Sequence, residues 1–192
     1  MSATQVGVDA DARTDTALVR AARLGDQEAF RVIVERHGPA MYRYALRMVG
    51  SGAESDAAEV TQEALVSAWK DIGSFQGRSE LRTWLIRLVH RRAVDLARRR
   101  RPVPIDDQVM AAIARPAPDD PLQSVLDAEL LAALQAALDT LPPLQRAAWL
   151  LREVEQMSYE EIATALGVPL DSARGHLQRG RRTLAERMAR WR

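Results

Sequence analysis

The chain has 192 residues, 47% of them hydrophobic and 5% aromatic, and its 27 basic and 26 acidic residues leave a formal charge of +1. That length allows one large or two small domains with real cores. The absence of cysteine excludes disulfides and thiolate metal sites, and His37, His90 and His176 lie too far apart in sequence to read as a ligand set.

The near-zero charge hides segregation. Seven arginines stand against one acid between Arg87 and Arg101, and seven against Glu186 between Arg174 and Arg192. Between Ala53 and Glu63 the balance reverses, with Glu54, Asp56, Glu59 and Glu63 and no basic residue. Two basic surfaces and one acidic one suggest a protein that holds a polyanion while meeting another protein elsewhere.

In chain order, residues 1–14 are polar and mildly acidic and read as a disordered N-terminus without the apolar core of a secretory signal. No apolar run approaches a membrane span, so a cytoplasmic setting is expected. Residues 15–101 read as a module of helices only, because β-branched alternation is absent. Asp15 is expected to cap a helix reaching Gly25, and Asp26 the next, QEAFRVIVERHGPAMYRYALRMV, with a bend at Gly38-Pro39. Gly50-Ser51-Gly52 breaks the chain. Ser55 or Asp56 then starts a third helix to about Ile72, and the loop GSFQGRSE leads to a fourth from about Leu81 to Arg100. Five of the nine prolines fall between Pro102 and Pro121, so residues 102–123 read as a linker with one helical turn near Gln108–Ala114. Residues 124–192 read as a second helical module. The fold class is therefore all-α: two small helical domains joined by a proline-rich linker.

Within the second module, Ser158 and Glu161 form a capping-box pair, and Gly167 supplies a stop and turn. Pro169 suits the first turn of a new helix. Beyond it Leu170, Ala173, Leu177, Leu184, Met188 and Trp191 recur on one face, while Asp171, Ser172, Gly175, Arg179 and Arg182 cluster opposite, with His176 and Gln178 at the margins. A short helix, a tight turn and a basic helix read either as a helix-turn-helix that enters the DNA major groove or as an amphipathic helix with a solvated basic face. Arg174, Arg179, Arg181 and Arg182 are the candidate contacts, with Arg174 and Arg179 foremost for base edges.

The third and fourth helices carry two further surfaces. Asp56, Glu59, Gln62 and Glu63 share one side of DAAEVTQEALVSAWKDI, opposite Val60, Ala64, Leu65, Ala68 and Trp69. Such a side is either a solvated face, favoured near a helix N-terminus by the dipole, or a stripe that docks on a basic partner. Phe75, Gly77, Arg78 and Ser79 form a loop with an aromatic, a flexible point and a cation, before a helix bearing Arg82, Arg87, Arg91, Arg92 and Arg98. Loop and helix together either hold a single strand by stacking and phosphate pairing, or form a structural connection.

With these surfaces in order, the sequence resembles the RNA polymerase sigma factors of the extracytoplasmic-function (ECF) group. The resemblance rests on DAAEVTQEALVSAW, SFQGRSELRTWLIRLVHRRAVDLARRR and LPPLQRAAWLLREVEQMSYEEIATALGVPLDSARGHLQRGRR, and covers about residues 16–100 and 124–188. It implies that Asp56, Glu59, Val60, Gln62, Glu63 and Trp69 bind the clamp helices of core RNA polymerase. It implies that Phe75, Gly77, Arg78, Ser79, Arg82, Arg87, Arg91 and Arg98 recognise and melt the −10 promoter element. It assigns Ser172, Arg174, Gly175, His176, Gln178, Arg179, Arg181 and Arg182 to the −35 element, read as duplex. Only the two-domain core is expected, with no cofactor, no metal and no catalysis of its own; many relatives are held inactive by an anti-sigma factor.

The chain departs from the family pattern at Arg91, where an asparagine is common, and at Arg78, where an acid is usual. Asp171-Ser172-Ala173 and the Gly175-His176 pair also depart, so promoter preference does not carry over. A polymerase-independent helix-turn-helix regulator is the alternative, but it leaves the acidic helix and the first arginine cluster without a role. A metal-dependent nuclease requires clustered carboxylates, whereas these acids line one helix.

Overall fold

The computed structural model describes residues 13–50, 53–99 and 121–191, with all their side chains except those of residues 98 and 121–128. The expected disordered N-terminus, up to residue 12, and most of the expected linker, including the turn at Gln108–Ala114, lie outside the described residues. Among the described residues there is no strand, and no helix is long and apolar enough to cross a membrane.

The N-terminal part is built from α1 (Asp15–Ala22), α2 (Gln27–Val49), α3 (Glu54–Asp71) and α4 (Leu81–Arg99). The cap of α1 is Thr14, not Asp15: the Thr14 hydroxyl accepts from the Ala17 amide at 3.3 Å. Asp15 instead crosses to α2, pairing with Arg36 at 2.6 Å and His37 at 3.0 Å. Asp26 caps α2 as expected, accepting from the Ala29 amide at 3.0 Å. Helix α2 runs through Pro39 as one helix of 23 residues. A proline costs the helix one amide donor, and here Ile33, Met41, Tyr44 and Ala45 are buried on either side of it. Helix α3 starts at Glu54 with no side-chain cap, ahead of the Ser55 or Asp56 start expected.

The C-terminal part comprises α5 (Pro121–Asp139), α6 (Pro143–Trp149), a π-helical turn at Leu150–Val154, α7 (Tyr159–Leu166) and α8 (Leu170–Arg187). Helix α5 begins at Pro121. The Ser158 capping box with Glu161 is formed, and Gly167 ends α7 in the left-handed conformation at φ 66°. Pro169 is the extended residue before α8 rather than part of its first turn. Ala173, Leu177 and Leu184 are buried as the periodicity requires, joined by Gly180. A Cβ at Gly180 would lie 3.1 Å from the Gln145 carbonyl oxygen, so α6 and α8 approach closely there.

The buried side chains of both parts form one continuous apolar cluster. Helix α4 packs against α7 as well as against α2 and α3, and α2 touches α6. Arg146 on α6 donates to the Met48 carbonyl at 3.0 Å and to the Asp139 carbonyl at 2.8 Å. Near this junction Tyr44 and His90 are both buried, with the hydroxyl 2.9 Å from His90 Nδ1.

Burial, helped by the Arg91 charge, pulls His90 from its ordinary 6.5 down to about 4. Between those values the unfolded chain takes up a proton that the folded chain refuses, so stability falls as pH drops through this window. Urea unfolding at pH 7 and pH 4.5 should show a wild-type loss about 2 kcal/mol larger than that of His90→Asn. Equal losses would place the titration elsewhere.

Candidate nucleic-acid and protein interfaces

The acidic side of α3 is narrower than its sequence suggests. Glu59, Gln62 and Glu63 are exposed, followed by Val66, which is 46% exposed, and Lys70. Asp56 and Val60, expected on the docking surface, are only 6% and 3% exposed. Asp56 lies in the first turn of α3 and one turn before Val60, on the core side, where the helix dipole favours a carboxylate. Trp69 is half-buried, its ring 4.9 Å from that of Phe30. Glu63 lies 3.6 Å from Arg92 of α4, whose guanidinium also donates to the Ser67 hydroxyl at 2.9 Å.

The loop before α4 is anchored by the aromatic expected to stack on bases. Phe75 is 9% exposed and lies 5.1 Å from the half-buried Trp84 ring. It is part of the packing, so it is no free stacking platform in this structure. Gly77 makes the turn at φ 68°. Gln76 and Arg78 project outward and bond to each other, while Ser79 is half-buried. On α4, Arg91 is exposed and Arg87 half-buried. Arg82 is ion-paired to Glu155 of the C-terminal part. The Arg98 side chain lies outside the described residues. Thr83, fully buried, donates to Glu161 of α7 at 3.2 Å. Bonds from the Ser158 amide and hydroxyl hold the Glu161 carboxyl below the usual range, with smaller contributions from Thr83 and Arg82.

On α8, about 100° per residue sets Gly175 and Arg182 opposite the buried Ala173, Leu177, Gly180 and Leu184. Asp171 and Gln178 flank that outward line. Arg174 and Arg181 lie about a quarter turn to one side. There they meet Tyr159, the first residue of α7, across a cleft of about 390 Å³ also lined by Gly175, Leu177 and Gln178. The Arg174 and Arg152 guanidiniums lie 5.5 and 5.2 Å from the Tyr159 ring centre. Arg152 is itself tied to the Met157 carbonyl at 2.7 Å, and Arg181 to Glu153 at 2.6 Å. Ser172, His176 and Arg179 occupy the other side. His176 is held below its ordinary value by burial and the neighbouring Arg179, and its Nδ1 lies 3.2 Å from the Arg179 guanidinium.

The sequence-predicted −35 residues are thus together on one helix, on three adjoining lines. Tyr159 and Arg152 were missed. A single aromatic beside a capping serine carries no local sign of arginines 15 residues on; only the turn at Gly167 brings them together. Glu155 was missed for the same reason, since its partner is 73 residues away. A Cβ at Gly175 would meet only the flexible Arg179 side chain, at 3.2 Å, so packing within this chain does not demand a glycine.

The family model for Sigma-70 region 2 matches residues 33–103, and that for Sigma-70, region 4 matches residues 131–184. The chain is 37% identical over 183 residues to the ECF RNA polymerase sigma factor SigE of Mycolicibacterium smegmatis, covering 93% of this chain and 69% of that protein. It is 32% identical over 179 residues to the ECF RNA polymerase sigma-E factor of Escherichia coli K12, covering 89% and 92%. Among solved structures it is similar to CnrH in complex with the cytosolic domain of CnrY, at 28% identity and TM-score 0.66 over 90% of this chain and 95% of that one. The fold is shared with sigma factor RpoE of Bartonella quintana in complex with the anti-sigma factor NepR, at 22% identity and TM-score 0.66 over 83% and 96%. The chain belongs to the ECF RNA polymerase sigma factors.

Proposed function

We propose that this sigma factor divides its task among three surfaces, acting in the cytoplasm where polymerase and promoters meet. The exposed Glu59, Gln62 and Glu63 on α3, with Val66 beside them, dock on core RNA polymerase. The loop at Gly77–Ser79 and the arginines of α4 hold the opened −10 strand. Helix α8 enters the major groove of the −35 duplex. Polymerase supplies the nucleotidyl-transfer chemistry; this chain supplies placement and the energy that favours an unpaired strand. The observation that carries the reading is the exposed acidic stripe of α3 beside an arginine-bearing α4, in a chain that also holds a helix-turn-helix. A protein inhibitor, as in the anti-sigma complex of the Bartonella relative, would act by covering the same surfaces.

The three lines of α8 suggest a division of labour. Arg174 and Arg181 sit at the edge of the groove-entering face, beside α7, and are placed for phosphates. Gln178, Arg179 and Arg182 point more directly outward and are placed for base edges. The Tyr159 ring holds Arg174 in position, an exposed cation–π contact worth about 0.5–1 kcal/mol. His176 does the same for Arg179 through a hydrogen bond.

Run-off transcription with core polymerase over a pool of random promoters tests the function and selects the preferred sequence. Glu59→Arg with Glu63→Arg should reduce core binding at least about tenfold, while binding to duplex carrying the selected −35 element is retained. Unchanged core binding would move the docking site off α3.

On that duplex, Arg174→Ala should weaken binding about equally for selected and scrambled sequences and lower the salt slope by about one. Tyr159→Ala should weaken it about two- to fivefold, as the loss of one exposed cation–π contact implies. Arg179→Ala should instead relax sequence preference by about 1–3 kcal/mol. Fluorescence anisotropy against salt separates these outcomes; a sequence-selective loss for Arg174→Ala would make it a base contact.

A further inference from the structure

Glycine occurs twice inside α8, and the two positions differ. Gly180 lies against α6, where a Cβ would come within 3.1 Å of the Gln145 carbonyl oxygen. Gly175 faces outward, beside the cleft that Tyr159, Arg174 and Gln178 line. Its backbone is helical, so no left-handed turn requires it. A helix interior accepts glycine less readily than any residue but proline, because glycine gives up the most chain entropy. Packing does not explain it either, since the nearest atoms a Cβ would meet all belong to Arg179, one turn on. What Gly175 leaves is a space, and the Arg179 guanidinium fills it. Nη1 lies 3.2 Å and Nη2 3.7 Å from the position a Cβ would take.

The same guanidinium meets His176. Its Nη2 is 3.2 Å from Nδ1, and because arginine only donates, Nδ1 accepts. Burial and the Arg179 charge hold the His176 ring below its ordinary value, which keeps it neutral and leaves Nδ1 free to accept. A neutral imidazole that accepts at Nδ1 carries its proton on Nε2. The remaining hydrogen-bonding groups of the Arg179–His176 pair are therefore all donors. In the major groove guanine offers such a pair two acceptors, N7 and O6, whereas cytosine offers only a donor. A donor set against a donor leaves both without a partner, which is how a site rejects the wrong base. An arginine also has many rotamers, and one already held in place loses less freedom when the DNA arrives.

On the reading of α8 as the −35 reader, we propose that Gly175 and His176 are positioning residues that determine its specificity. The space at Gly175 seats Arg179 against His176, and the seated pair selects guanine under Arg179 and rejects cytosine at the adjoining base of that strand. A side chain at position 175 would turn Arg179 off its seat and leave it to contact any phosphate. The glycine thus converts a general cation into a base reader.

Holoenzyme transcribing the random promoter pool tests this, because preference at each position is scored apart from total activity. Gly175→Ala should raise the melting temperature of the free protein by about 2–4 °C, since alanine suits a helix better. A fall would show that packing within the chain needs the glycine, and would overturn the proposal. Gly175→Leu, also a good helix former, fills the seat. It should lower the preference for guanine at one −35 position at least about fivefold, while the −10 preference is unchanged. His176→Ala should lower discrimination against cytosine at the adjoining position by about the same factor. Arg179→Ala should cost guanine preference in the wild type but little more in Gly175→Leu. Additive losses, or a guanine preference that survives Gly175→Leu, would overturn the seat. A wild-type pool with a −10 preference but none at −35 would instead remove the reading of α8 on which the seat depends.

Discussion

Burial of α4 on two sides constrains the rest of this molecule. Leu81, Leu85, Val89 and Ala93 complete the N-terminal core, while Thr83, Ile86 and His90 recur at three- and four-residue steps on a neighbouring side and are buried as well. Two of those three are polar, and a buried polar group has to find a partner. Thr83 finds Glu161, His90 finds Tyr44, and Arg82 alongside finds Glu155. The junction between the modules therefore includes two matched polar pairs, Thr83 with Glu161 and Arg82 with Glu155, beside an apolar surround. Such a junction specifies a single seating.

The same logic extends to the exposed arginines. Arg174 lies 3.5 Å from Asp171, Arg181 lies 2.6 Å from Glu153, and Arg92 lies 3.6 Å from Glu63. Exposed pairs of this kind contribute about 0–1 kcal/mol each, enough to orient a long side chain but too little to oppose a polyanion. A net charge near zero is thus compatible with strong DNA binding. Its carboxylates are distributed as weak partners of the cations.

Local features were legible from the sequence because their partners lie within one helical turn. The Ser158–Glu161 box, the Asp26 cap, the Gly167 stop and the buried line of α8 all follow from spacings of three and four residues. Where two candidates compete within a turn, the sequence alone chose wrongly: Asp15 and Thr14 are both good caps, and what removes Asp15 is Arg36 and His37 on another helix. Asp56 is a similar case. Its carboxylate lies one turn before Val60, and the packing of α3 against its neighbours puts that line on the core side. Phe75 looked like a free aromatic in a loop, but a side chain of that size is drawn onto the nearest apolar surface, here Trp84.

Periodicity and residues close along the chain encode the helical class, the segregation of charge, the family and the outward line of α8. Which of those residues are held by others emerges from the fold. It set Tyr159 against Arg174, closed Glu155 on Arg82 across 73 positions, and joined two expected cores into one. The physical reason is that such contacts arise from the packing of whole helices, whose seating depends on the summed shape and polarity of many residues, and no short stretch of chain carries that sum.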